Sequence, residues 1–261
     1  MKEIVVYTAL FGERDDLRET PIYDCADYFC FTDNKDIKSD NWKVIYIEKE
    51  EDPFIQYKKF KFFPHKYFKE YKYSIWLDGT RILKISPDVF IKTFLKESLI
   101  ARFKGNNINN VYDEAREVIR LGYLDRNSVI SQMREYKEEG YNGKDLTCGG
   151  VIIRKHNNQK LIKYSEECFN EILKGRKREQ LSADYLLWKN EIKCSIINEN
   201  IYDTKYLEVF SHKNTKEKKV YLFNQKLKKF LLVRVFILPV YRKLRSFYRI
   251  NLNKILYYGL F

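Results

Sequence analysis

The chain has 261 residues, is 44% hydrophobic and 16% aromatic, and carries a formal net charge of +13. That length and composition suit one large α/β domain with a buried core and exclude a disordered chain. Five cysteines, Cys25, Cys30, Cys148, Cys168 and Cys194, show no CxxC spacing, which argues against a disulfide framework or a zinc site and for a reducing cytosol.

EIVVYTALF (Glu3–Phe11) is a short apolar run ending at Gly12 and predicts a buried first strand. DYFCFTDN (Asp27–Asn34) and WKVIYIE (Trp42–Glu48) predict the next two. Asp52–Pro53 starts a helix that Pro64 breaks or bends. YSIWLDG (Tyr73–Gly79) predicts a fourth strand ending in a turn, and Ser86-Pro87-Asp88 signals the start of a helix. LIARF (Leu99–Phe103) returns to strand, followed by helices over Val111–Leu121 and Arg126–Glu139. CGGVIIR (Cys148–Arg154) is a further strand, Gln159–Leu173 and Gln180–Trp188 are helices, and KCSIINE (Lys193–Glu199) is the last core strand. Strands alternating with helices predict a mixed, mostly parallel sheet covered on both faces, a Rossmann-like α/β fold.

The charge is local. Residues 213–261 hold thirteen Lys or Arg against one acid, Glu217, a surplus of +12, which leaves about +1 for residues 1–212. The expected division is therefore a nearly neutral main domain over 1–212 and a basic, amphipathic helical tail over 213–261. Leu227–Ile250 mixes apolar residues with Lys and Arg around Pro239, a pattern suited to an anionic membrane surface at about 1 kcal/mol per basic residue. A helix pair packed on the core would give the same composition. No segment reaches the roughly 18 uncharged apolar residues that a span requires, and the apolar run at the N-terminus is too short for a signal peptide. The expectation is a cytoplasmic protein held peripherally on the inner face of the membrane.

Ligands of parallel sheets bind at the carboxyl ends of the strands, which selects the loops Thr8–Arg14, Thr32–Lys35 and Asp78–Arg81. Asp78 follows an apolar strand and precedes Gly79, whose missing side chain lets a ligand approach the backbone. A carboxylate there suits Mg²⁺ or Mn²⁺ bridging a diphosphate, although Asp-Gly alone is an ordinary turn signal. YTALFG offers Thr8 to a base or ribose, FTDN offers Asp33 and Asn34, and KKFKFFPH offers Lys58, Lys61 and His65 to phosphates.

In this order, YTALFG (Tyr7–Gly12), FTDN (Phe31–Asn34), KKFKFFPH (Lys58–His65) and SIWLDG (Ser74–Gly79) resemble a GT-A-like glycosyltransferase family of plants and bacteria long catalogued as a domain of unknown function. NNVYDEA (Asn109–Ala115), REQLSADYLLWK (Arg178–Lys189) and FSHK (Phe210–Lys213) extend the resemblance over most of the chain. It implies a transferase of a hexosyl or related group, from a nucleotide-diphosphate sugar to a glycan or lipid-linked acceptor, in bacterial surface polysaccharide synthesis of the capsule or lipopolysaccharide type. It implies that Asp78 binds a metal, that His212 is a late metal ligand or phosphate contact, that Lys213 stabilises the leaving diphosphate, and that Thr8, Ala9, Asp33 and Asn34 hold the nucleotide. Arg178, Glu179 and Gln180 would face the donor sugar or acceptor, with Glu179 as general base or acceptor-orienting carboxylate and Asp184 a competing acid. Thr80 stands where a second metal-binding acid belongs, Lys58 replaces the family's arginine, and Glu179 its aspartate. Two other readings are a nucleic-acid-binding protein using the tail, disfavoured by a nearly neutral core, and a non-catalytic sugar-binding scaffold suggested by Thr80.

Overall fold

A computed structural model describes residues 2–12, 15–105 and 108–212. In chain order they form β1 (Ile4–Leu10), β2 (Ala26–Thr32), β3 (Lys43–Tyr46), α1 (Pro53–Phe62), α2 (Pro64–Tyr67), β4 (Tyr73–Leu77), β5 (Arg81–Leu83), α3 (Pro87–Phe94) and β6 (Ile100–Lys104). Then come α4 (Val111–Arg120), α5 (Arg126–Glu138), β7 (Thr147–Arg154), α6 (Gln159–Leu173), α7 (Glu179–Lys189), β8 (Cys194–Ile197) and β9 (Leu207–Val209). The basic tail and its expected membrane contact lie outside the described residues. The described residues form two compact units, 2–12 with 15–105 and 145–210, and 108–144 with 211–212.

The first unit is built on a seven-stranded sheet of order β3-β2-β1-β4-β7-β6-β8. β7 pairs antiparallel with both β4 and β6, and every other pairing in this sheet is parallel. This is the mostly parallel α/β architecture expected. β1 is buried along its whole length because strands flank it and helices cover both faces. α1, α6 and α7 pack together on one face, α1 against β1 and α7 against β7, while α3 packs against β1 and β8 from the other. Strand alternation divides the side chains accordingly. Val6, Leu10, Ile75, Leu77 and Ile153 join a core with Phe90 of α3 and Leu95 at its C-cap.

Local chemistry sets the helix limits. The Asp52 carboxylate accepts from the amides of Phe54 (2.9 Å) and Ile55 (3.3 Å), capping α1, and Pro64 ends it and opens α2. Ser86 caps α3 differently from the expected pattern: its hydroxyl bonds the Asp88 carboxylate and makes no side-chain bond to the helix amides. Two features escaped the sequence reading. β7 runs antiparallel, and a two-stranded ladder joins β5 to β9, Arg81 opposite Val209 and Leu83 opposite Leu207.

The register of β6 against β7 shifts between Arg102, opposite Ile152, and Phe103, opposite Cys148. Gly149, Gly150 and Val151 therefore have no partner in β6, a bulge that two glycines permit. On the β4 side the Gly150 carbonyl still accepts from the Asp78 amide at 2.9 Å.

The second unit contains α4 and α5. Asn110 caps α4 by accepting from the Tyr112 amide at 2.9 Å, and the Tyr112 hydroxyl donates to the Tyr141 carbonyl at 2.6 Å. Val118, Val129, Met133 and Tyr136 are buried.

Phe90 tests the α3 face. It is fully buried and its ring contacts those of Phe94, Phe103 and Tyr206. Phe90→Ala is expected to lower unfolding free energy by about 3–5 kcal/mol, measured by urea denaturation.

Candidate active site

α1 lays Tyr57, Lys58 and Lys61 on one side, three and four residues apart, facing the end of β4. Trp76 shares its strand face with Asp78. The Asp78 Oδ1 accepts from the Trp76 indole at 2.8 Å, from the Tyr57 hydroxyl at 2.7 Å and from the Lys61 ammonium at 3.3 Å. All three reach the same oxygen, so among the described residues Oδ2 stays open. From the other side, Glu179 in the first turn of α7 bridges both lysines. Its Oε1 lies 2.6 Å from Lys61 Nζ and its Oε2 2.5 Å from Lys58 Nζ. The side chains of Lys61, Lys58 and Glu179 are only 2%, 8% and 13% exposed, whereas that of Asp78 is 27% exposed.

Lys58, Lys61, Glu179 and Asp78 thus form a chain of alternating charge with one accessible end. Burial opposes ionisation of Asp78, but Lys61 and then Arg81 outweigh it and hold the carboxyl below its usual range. Burial likewise opposes the charge on Glu179, and Lys58, Lys61 and Arg102 overcome it, holding this acid far below the carboxylate range. Burial pushes the Lys58 ammonium downward, with Glu179 resisting.

Among the described residues no group of three or more metal-ligating side chains surrounds Asp78. An ammonium already lies against Asp78, Glu179 is held by two more positive contacts, and Thr80 is 3% exposed with its hydroxyl accepting from Arg81 at 2.7 Å. A second cation at Asp78 would meet the Lys61 ammonium at close range. His212 is half-buried and belongs to the second unit, while Lys213 lies outside the described residues.

The remaining expected residues divide. Arg178 is the N-cap of α7 and its guanidinium donates to the Gln180 side chain at 3.3 Å, so both stand beside Glu179 in the chain. Asp33 accepts from the Gly12 amide (3.2 Å to each oxygen), tying together the loops after β1 and β2. β1 lies between β2 and β4, so the loop after β1 ends one strand spacing, roughly 5 Å, from the Asp78 turn and the loop after β2 two spacings, roughly 10 Å. Asn34 closes an Asx turn onto the Asp36 amide at 2.9 Å.

Four placements depart from expectation. Thr8 lies inside β1, 3% exposed, on the strand face shared by Val6 and Leu10 and away from Trp76, and its hydroxyl has no partner among the described residues. Ala9 is 1% exposed and in register with Phe31. His65 is the second residue of α2, packs its ring on Phe63 at 5.7 Å, and has no bond or ion pair to the lysine–carboxylate chain among the described residues. Asp184 is buried with both oxygens engaged by Thr147, 2.7 Å from the amide and 2.6 Å from the hydroxyl, and burial raises its pKa.

Sequence reasoning missed Tyr57, Trp76, Arg81, Arg102 and Gly149. Arg102 is 1% exposed and donates to Tyr164 at 3.1 Å, and its charge acts on Glu179 and Asp184. A methyl group on Gly149 would run into Glu179 Oε1 and lie 3.2 Å from Lys61 Nζ. The diglycine in an otherwise apolar strand was a readable sign of such close approach.

Removing Glu179 would leave two lysines buried without their acid. Glu179→Ala is expected to cost about 3–5 kcal/mol at pH 7, read by urea denaturation. Because its folded pKa is depressed, the contribution of Glu179 is complete above the ordinary carboxylate pKa of about 4.3 and is lost as pH falls toward the folded value. The stability gap between wild type and Glu179→Gln should therefore narrow from pH 7 to pH 3 at fixed ionic strength.

Among curated proteins none matches this chain closely enough to count as a relative. A family model, TOD1/MUCI70, glycosyltransferase-like domain, matches residues 24–216. That range takes in FTDN, both lysines, Asp78, Glu179 and His212, and leaves out the YTALFG segment of β1. With most of its length matched and a mostly parallel α/β sheet beneath the site, the chain belongs to the TOD1/MUCI70 glycosyltransferase-like family.

Proposed function

We propose that this protein transfers a glycosyl group from a nucleoside-diphosphate sugar to a glycan or lipid-linked hydroxyl, at the site where Asp78, Lys58, Lys61 and Glu179 meet. The carrying observation is the charge chain itself: two buried ammonium groups and a half-buried base candidate next to a more exposed carboxylate at the carboxyl end of a parallel strand. Sheets of this kind receive ligands at that end, and the family membership supplies the reaction class.

In this reading Lys58 and Lys61 neutralise the charge that grows on the departing diphosphate, electrostatic stabilisation that a dry site strengthens. Asp78, fixed through one oxygen, offers the other to a sugar hydroxyl. The acceptor oxygen bonds the anomeric carbon as the carbon–oxygen bond to the diphosphate breaks. The bonding pair leaves with the diphosphate, and the acceptor proton passes to the Glu179 carboxylate. The anomeric centre is oxocarbenium-like at the transition state. Asp33 and the Gly12 loop are assigned to the nucleoside. Asp184 is assigned to holding α7 on β7, and Arg178 and Gln180 to orienting substrate. No step is routed through a metal ion.

The finer biological setting rests on sequence. The +12 surplus in residues 213–261 supports contact with an anionic membrane surface and lipid-linked acceptors, in keeping with bacterial surface polysaccharide synthesis. Among the described residues no helix is long and apolar enough to cross a membrane.

Nucleoside diphosphates and their sugars, screened by thermal shift, should raise the melting temperature by mass action, and turnover of the sugar that binds should persist in EDTA. Binding without turnover would favour the sugar-binding scaffold. Asp78→Asn keeps the three-donor pocket but removes the charge, and should reduce transfer by at least about 100-fold while leaving the melting temperature near wild type. Full activity in that variant would overturn the role.

A further inference from the structure

The two lysines assigned to the diphosphate are already occupied. Each ammonium touches one oxygen of Glu179, at 2.5 and 2.6 Å. The carboxylate spans the pair much as a bridging phosphate would, two oxygens on two cations. It also stands in the first turn of α7, an eleven-residue helix whose N-cap, Arg178, supplies no side-chain bond to the free amides. Every feature that would favour a substrate anion here therefore favours Glu179 first.

The same arrangement silences Glu179 as a base. A carboxylate held by two ammonium groups attracts a proton weakly, and a general base works best with a pKa near the working pH. The proposed roles of the lysines and of Glu179 thus exclude each other in the geometry seen. They become compatible only if the carboxylate leaves the lysines when the diphosphate arrives.

Three observations make that exchange feasible. Glu179 is reached through a three-bond side chain at the end of a helix, so rotation moves its oxygens without moving α7. The oxygen on Lys61 sits over Gly149, where a bulge and a missing methyl group leave room for this one position. Asp78 also contacts Lys61, so that lysine keeps one anionic neighbour throughout the exchange.

We infer that Glu179 is an internal occupant of the diphosphate site, displaced from Lys58 and Lys61 by the phosphate groups of the donor and released by that displacement to serve the acceptor. The inference rests on the assignment of the lysines to a diphosphate. Base and leaving-group stabiliser are then never available together without donor, so acceptor activation follows donor binding.

The test is binding of inorganic pyrophosphate, and of a nucleoside diphosphate, by titration calorimetry to the full chain and two variants. Glu179→Gln removes the competing charge. It should bind pyrophosphate at least about tenfold more tightly than wild type, and lose transfer. Gly149→Ala keeps the carboxylate but pushes it off Lys61. It should also bind pyrophosphate more tightly, and it guards against misfolding of the first variant, which far-ultraviolet circular dichroism would reveal. Unchanged or weaker pyrophosphate binding in folded variants, with nucleotide-sugar turnover intact in wild type, overturns the displacement and leaves the proposed function standing. If no form binds pyrophosphate or any nucleoside diphosphate, and wild type turns over no nucleotide sugar, both fall together.

Discussion

Two lysines and one glutamate, nearly sealed from water, are the constraint around which this site is arranged. Burying charge is costly unless it is paired and bonded. Lys58 and Lys61 are tolerable inside only because Glu179 reaches them, and Glu179 only because both lysines and the Arg102 charge oppose the burial. The pairing links α1 to α7 across the sheet face and points the remaining contact of Lys61 at Asp78. Helix docking and site electrostatics are thus one interaction, and neither can be altered alone.

The bulge in β7 is what lets that interaction exist. A regular ladder would carry β6 partners for Gly149 and Gly150; instead the register shifts and the backbone is left clear for the glutamate oxygen. Nearby, Arg81 lies so close to Gly150 that an added Cβ would come within 2.9 Å of Nε. Two adjacent glycines serve two different neighbours, one anionic and one cationic, on successive residues of a strand whose sides alternate.

Much of this was legible beforehand. The apolar run Ile4–Leu10, the Asp52–Pro53 start, the Pro64 break and the span Gln159–Leu173 are local signals, and the chain obeys them. Asp78 at a strand end and Lys58 and Lys61 on one helix face were readable for the same reason. What local pattern does not encode is direction and company. Nothing in TCGGVIIR states that the strand runs antiparallel, and a three-residue strand such as Arg81–Leu83 lacks the length to show a period. Thr8 reads as a residue at the ligand-facing carboxyl end of β1, yet pairing with β2 continues to Leu10 and encloses it. Asp184 looked like a spare acid in a helix, and only tertiary structure shows Thr147 consuming both oxygens.

The short ladder between β5 and β9 has a consequence for how the Asp78 turn moves. On one side the turn is tied to the seven-stranded sheet through the Asp78 amide. On the other it continues into a ladder of three residue pairs, extended by the bond from the Phe210 amide to the Thr80 carbonyl at 2.8 Å. A ladder that small opens at far lower free energy than a central strand. The aspartate therefore stands at a seam between a strand paired on both sides and a three-pair ladder that opens more readily than it, so opening of the ladder widens the way in without disturbing the charges beneath.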